Sequence, residues 1–171
     1  MMRYDDIVEF HGHSCPGTAL GFKIGEIVLE KFGKSKNEEI VAIVENNSCS
    51  IDAIQFMTGC TFGKGNLIFK DYGKHVYTFI DRRTRKSIRI SLDKSIQELM
   101  DKFKTKRDKL PEKILEMDPY KLFTVKDVEV KPPKKATIYT SLKCAECNEL
   151  VAEHRARIKN GKIICIPCSK K

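Results

Sequence analysis

His11-Gly12-His13-Ser14-Cys15-Pro16-Gly17 packs two histidines and a cysteine into five residues. Imidazole and thiolate are favoured ligands for transition metals, so residue type alone gives this stretch a chemical reading. Directly after it, Leu20, Ile24, Ile27, Val28 and Phe32 recur at helical spacing through residues 18–32, and Gly33 stands where such a helix would stop. Cys15 is therefore expected near the positive end of a helix dipole, which lowers a thiol pKa and favours thiolate. Gly17, Gly21 and Gly25 fall on one stripe, four residues apart. Each glycine costs a helix about 1 kcal/mol relative to alanine, so the stripe points to tight packing or a close ligand.

Working outward, Glu39-Ile40-Val41-Ala42-Ile43-Val44-Glu45 is a short continuous apolar run, the pattern of a buried strand. After residues 46–50 a second helix is expected over 51–57, with Cys49 near its start and Asp52 in its first turn. Residues 58–66 are a glycine-rich loop holding Cys60. Residues 67–70, 76–81 and 87–92 read as strands, the last two pairing as a hairpin around 82–86. Asp93 is placed to cap a helix carrying Ile96, Leu99, Met100 and Phe103, and Pro111 suits the first turn of another that runs to Met117. Residues 123–130 alternate Val125, Val128 and Val130 and read as extended. Lys131-Pro132-Pro133-Lys134-Lys135 resists both helix and ladder. The expected organisation is a core over 1–130, a linker over 131–138 and a tail over 139–171.

The tail carries Cys144-x-x-Cys147 and Cys165-x-x-Cys168, each pair able to supply two thiolates to a tetrahedral zinc from one tight turn. Asn160-Gly161 between them is a hairpin signal, flanked by Val151, Ile158, Ile163 and Ile164. So short a segment cannot build an independent core, and the metal would supply the folding free energy. Four protein thiolates leave no open position, so this zinc is structural. Disulfides are the poorer reading for cysteines in such spacing.

Cys15, Cys49 and Cys60 are left over. Two helix-start thiols with imidazoles nearby make either a metal site with an open position or a redox-active pair. Taken singly, each cysteine reads equally as a small buried hydrophobe. His75 and His154 are isolated and receive no role. The glycines around Lys64 are too closely spaced for a phosphate loop, and no Ser or Thr follows the lysine.

The composition bounds these readings. Of 171 residues, 41% are hydrophobic and 32% charged, enough for one real core, and no apolar run is long enough to span a membrane. The N-terminus is acidic rather than basic-then-apolar, so no signal peptide is expected and the location expected is cytoplasmic. The formal charge of +9 falls to about +7 once four thiolates and one Zn²⁺ are counted. Basic composition alone is a non-specific signal, and nucleic acid is not the expected partner.

Three stretches together carry a resemblance: residues 11–17, then 44–55 from Val44 through Asn46-Asn47-Ser48-Cys49-Ser50 to Gln55, then 58–67 from Thr58-Gly59-Cys60 to Leu67. They resemble, in order, the motifs of the formylmethanofuran dehydrogenase E-subunit family, over about residues 5 to 120. Some members are similar in carrying a C-terminal four-cysteine treble-clef zinc finger. The resemblance implies an α+β fold, an antiparallel sheet packed with helices, and a homodimer. It implies His13, Cys15 and Cys49 as metal ligands or reactive groups, with His11, Asp52 and Cys60 around them as catalytic candidates. The family name links it to an oxidoreductase complex whose redox cofactor sits on other subunits.

The leading expectation is a metal-binding protein of that family, with a possible second metal ion in the core besides the tail zinc, acting as accessory subunit or small enzyme. If it is an enzyme, His11 or Asp52 would move the proton. The alternative is a zinc-finger regulator or a docking module for nucleic acid or protein.

Overall fold

Helix α1 (Tyr4–His11) ends at Gly12, whose φ of +97° is a left-handed turn that glycine adopts without strain. Its spacing gives little warning of a helix, because Ile7 is its one fully buried side chain. The computed structural model describes residues 2–104 and 106–171. Helix α2 (Pro16–Phe32) starts earlier than its apolar spacing indicates, since Cys15 caps it and Pro16 fits the first turn. Strand β1 (Ile40–Val44) leads to helix α3 (Ser50–Thr58), which Gly59 ends at φ +72°. Strands β2 (Leu67–Phe69), β3 (Val76–Asp81) and β4 (Ser87–Leu92) follow close to their expected bounds.

The carboxylate of Asp93 takes the Ser95 amide at 3.0 Å and opens α4 (Ser95–Lys102). Helices α5 (Leu110–Glu116) and α6 (Pro119–Leu122) return the chain to β5 (Phe123–Asp127). The fold is α+β, with a five-stranded sheet in the order β2-β1-β3-β4-β5 among the described residues. The pairings of β3 with β1, β3 with β4, and β4 with β5 are antiparallel. Edge strand β2 departs from the expected pattern and runs parallel to β1, Ala42 opposite Leu67. The cause is the crossover through α3, which carries the chain back before the next strand begins.

Helices and sheet close on one core. Leu20, Ile24 and Ile27 of α2 meet Ile40, Tyr77, Phe79 and Ile90 of the sheet, with Ile96, Leu110 and Ile114 completing the layer. Burying each such side chain contributes about 1.5–3 kcal/mol. No described helix is long and apolar enough to cross a membrane.

The chain divides into two compact units after Lys135. Just before the division, the Arg82 guanidinium donates to the carbonyls of Pro133 at 2.6 Å and Lys134 at 3.3 Å, pinning the proline pair to the β3–β4 turn. The second unit holds hairpin β6 (Ser141–Lys143) with β7 (Leu150–Ala152), hairpin β8 (Arg157–Lys159) with β9 (Lys162–Ile164), and the single turn α7 (Ile166–Ser169). Asn160 and Gly161 both take positive φ, 53° and 71°, as a two-residue hairpin turn requires. Its core is only Cys144, Ile164, Cys165 and Cys168, with Val151 beside them.

Candidate metal centre

The glycine stripe brings two helix starts together. A methyl added at Gly17 would lie 2.9 Å from Cys49 Cβ, one at Gly21 2.4 Å from the Ser50 carbonyl oxygen, and one at Gly25 2.3 Å from the Met57 sulfur. Contacts advancing in step along both chains mean that α2 and α3 lie side by side and point the same way. The stripe therefore serves helix packing. It also sets Cys15 and Cys49, the two N-cap residues, beside each other under the positive ends of both dipoles.

Helix α1 delivers His11, and the short link to α2 carries His13. His11 is the last residue of α1, and His11 Nδ1 is 2.7 Å from the Asp52 carboxylate on α3. That bond leaves His11 Nε2 buried with no partner among the described residues. An orphaned buried polar atom costs about 1–3 kcal/mol, so something normally satisfies it. The ring of His13 lies 4.6 Å from that of His11, centroid to centroid. His11, His13, Cys15 and Cys49 each offer a ligand atom, all within 4.8 Å of one another. Two imidazoles and two thiols at that separation match the donor set of a tetrahedral zinc-type site.

Polar side chains to which the sequence assigns no role position these ligands. The Cys15 sulfur accepts the Thr18 amide at 3.4 Å, while the Thr18 hydroxyl accepts the Cys15 amide at 3.0 Å and meets the Tyr4 hydroxyl at 2.7 Å. The turn before α3 is stitched from below. Asn46 accepts from the Ser48 amide and hydroxyl, Ser48 bonds Ser50 at 2.8 Å, and Ser50 bonds the buried Tyr77 hydroxyl at 2.8 Å. Partial burial pushes the Cys49 thiol above its ordinary pKa, helped by the neighbouring Cys15. The density of Ser, Thr and Asn around Cys15 and Cys49 is the sequence signal that could have found this support.

Cys60 does not join the group. It follows the α3 C-cap into the main core, fully buried, where its thiol donates to the Ile40 carbonyl at 3.4 Å. Burial pushes that thiol up to about 11, which keeps it protonated. His75 is exposed, and His154 stacks on Tyr139 at 3.7 Å.

Two cavities flank the turn at Ser48. One of about 320 Å³ is lined by Gly17, Leu20, Cys49 and Met100, among others. The other, of about 250 Å³, lies on the side of Asp52, Gln55 and Phe62.

In the second unit Cys144, Cys147, Cys165 and Cys168 likewise present sulfurs within 4.8 Å of one another. The Cys144 sulfur accepts the Cys165 amide at 3.3 Å, and Asn148 closes the first ligand turn at φ +63°. Donated backbone amides, from Cys147 first, hold the Cys144 thiol down to about 6.

Comparison with known proteins finds matches for both units. The profile described as FmdE, Molybdenum formylmethanofuran dehydrogenase operon, matches residues 10–128. Residues 138–171 match the prokaryotic dksA/traR C4-type zinc finger. A protein of Archaeoglobus fulgidus named Probable S-adenosyl-L-methionine-binding protein is 35% identical over 94% of this chain. The chain spans about half the length of that relative, 50%. A solved FmdE-like protein of the tungsten formylmethanofuran dehydrogenase type, from Syntrophus aciditrophicus, superposes with a TM-score of 0.73 at 27% identity, covering 97% of this chain and 91% of that one.

Proposed function

The chain belongs to the FmdE family, and on that premise we propose that it is a metalloprotein whose working centre is His11, His13, Cys15 and Cys49. The observation that carries this reading is the buried His11 Nε2, unpartnered among the described residues, on a side chain grouped with three further potential ligands. Asp52 then acts through His11. Its carboxylate holds the proton on Nδ1, fixes the ring and aims Nε2, the carboxylate–histidine pairing common behind metal ligands. This replaces the proton-transfer role expected for His11 and Asp52 with ligation and positioning.

His13 is the one exposed member of the group. It can leave more cheaply than the others and open a position, and a freed imidazole beside the centre can accept a proton. A metal held there would supply Lewis-acid polarisation. Ligation needs the thiolate forms, and a bound cation would favour them against the burial that raises the Cys49 thiol.

The tail acts as a treble-clef-like structural zinc finger, supporting docking onto a second copy of the chain or onto subunits of an oxidoreductase complex in the cytoplasm. The cavities beside the centre favour a small-molecule role over that of a regulator or a bare docking module.

Metal content per chain tests the centre. Wild-type protein is expected to hold two metal ions, and Cys49→Ser one, with the core unit still folded by circular dichroism. A single ion in both would overturn the proposal.

A further inference from the structure

The cavity beside Cys49 has a composition that selects its occupant. Its walls are the first turns of α2, the Ser48–Ser50 turn, His75 just before β3, Met100 of α4, Arg107, and Leu110 at the start of α5. Leu20, Met100 and Leu110 make one apolar side. Arg107 is the one formally charged residue in the lining, and no Asp or Glu lines it. Arg107 is exposed and makes no ion pair among the described residues. The neighbouring cavity is the opposite case, with the Asp52 carboxylate in its wall and no cationic residue.

We propose that this cavity binds a small organic carboxylate, with Arg107 pairing its charge and Leu20, Met100 and Leu110 packing on its apolar body. The inference rests on the metal reading above and gives that centre its ligand class, because Cys49 belongs to both the cavity wall and the ligand group. A volume near 320 Å³ lies at the small end of ligand sites, roughly 300–1,000 Å³. A guanidinium pairs a single carboxylate through two parallel hydrogen bonds, and Leu20, Met100 and Leu110 offer an organic acid apolar contact that inorganic phosphate cannot use. An uncharged ligand would leave the guanidinium without a partner.

The test titrates hexanoate into the full chain loaded with zinc, followed by amide NMR shifts, with hexan-1-ol and inorganic phosphate in parallel and metal counted in the same samples. Hexanoate is expected to shift the amides of Gly17, Ser50 and Leu110 saturably, and both controls to bind far more weakly. Arg107→Gln should weaken hexanoate about tenfold, and Arg107→Lys less. Hexanol binding as well as hexanoate, an unchanged affinity in Arg107→Gln, or no shift around the cavity would each overturn the proposal. Two metals per chain without hexanoate binding would remove the ligand class alone. One metal with hexanoate bound at these amides would keep the carboxylate site and remove the metal reading.

Discussion

The core ligand group and the C-terminal cysteine group each place four donors within 4.8 Å, yet they are built in opposite ways. In the tail, two hairpins and one helical turn surround a hydrophobic cluster of four residues and Val151, three of the four being ligands themselves. Nothing but the metal can hold such a unit together, so there the ion makes the fold. In the core, the donors are carried by α1, α2 and α3 over a hydrophobic layer that does not depend on them. There the fold makes the site. The lesson is that a full set of ligands says little about purpose until one asks which of the two, scaffold or ion, would survive alone.

The largest effect should break the tail and spare the core. Structural zinc contributes on the order of 10–16 kcal/mol to folding such modules. Cys165→Ser is expected to collapse the amide NMR dispersion of residues 136–171 while the core amides keep their shifts. Loss of dispersion throughout would show that the two units are not independent.

Next in size is a change that damages the core site through packing. A methyl at Gly21 meets the Ser50 carbonyl oxygen at 2.4 Å and Ala53 Cβ at 2.7 Å, and backbone gives way poorly. Gly21→Ala should cost about 1–3 kcal/mol in urea unfolding of the core and spread Cys15 from Cys49, lowering core metal retention. The tail should be untouched.

A smaller change isolates ligation from folding. Asp52 is half exposed, and Asp52→Asn should leave the melting temperature nearly unchanged while weakening core metal affinity about 10–100-fold in a chelator competition. Equal affinity in the two proteins would mean that Asp52 does not orient His11.

The smallest effect separates the units by acid. Backbone amides of Asn37 and Glu39 and the Ser35 hydroxyl hold the Glu39 carboxyl down to about 2. A carboxyl lowered on folding stabilises above its unfolded pKa, and that contribution fades as pH falls from about 4.5 toward 2. The stability gap between wild type and Glu39→Gln in the core should therefore be present at pH 7 and close near pH 2. A constant gap would contradict the assignment.

How far the sequence could be read follows the same division. The tail was legible because each ligand pair is local, two residues apart within one turn, and Asn160-Gly161 marks the hairpin. The core was legible in residue type, since His11, His13 and Cys15 sit together and Cys49 opens a helix. Its supports were not, because Asn46, Ser48 and Ser50 act through Tyr77, which reaches them only when β3 pairs with β1. Cys60 shows the same limit. Its neighbours Gly59 and Thr61 read as loop, and only the left-handed turn at Gly59 sends the thiol into the core. The parallel edge pair was within reach, for a strand, a helix and a strand in succession already imply a crossover.

The central claim is that the core holds a second metal through two imidazoles and two thiolates. Zinc-edge X-ray absorption on the full chain, reconstituted with excess zinc, tests it most directly. One four-sulfur site and one site with two sulfurs and two nitrogens average to three sulfurs and one imidazole nitrogen per zinc, at two zincs per chain. Four sulfurs, no imidazole signal and one zinc per chain would contradict the account.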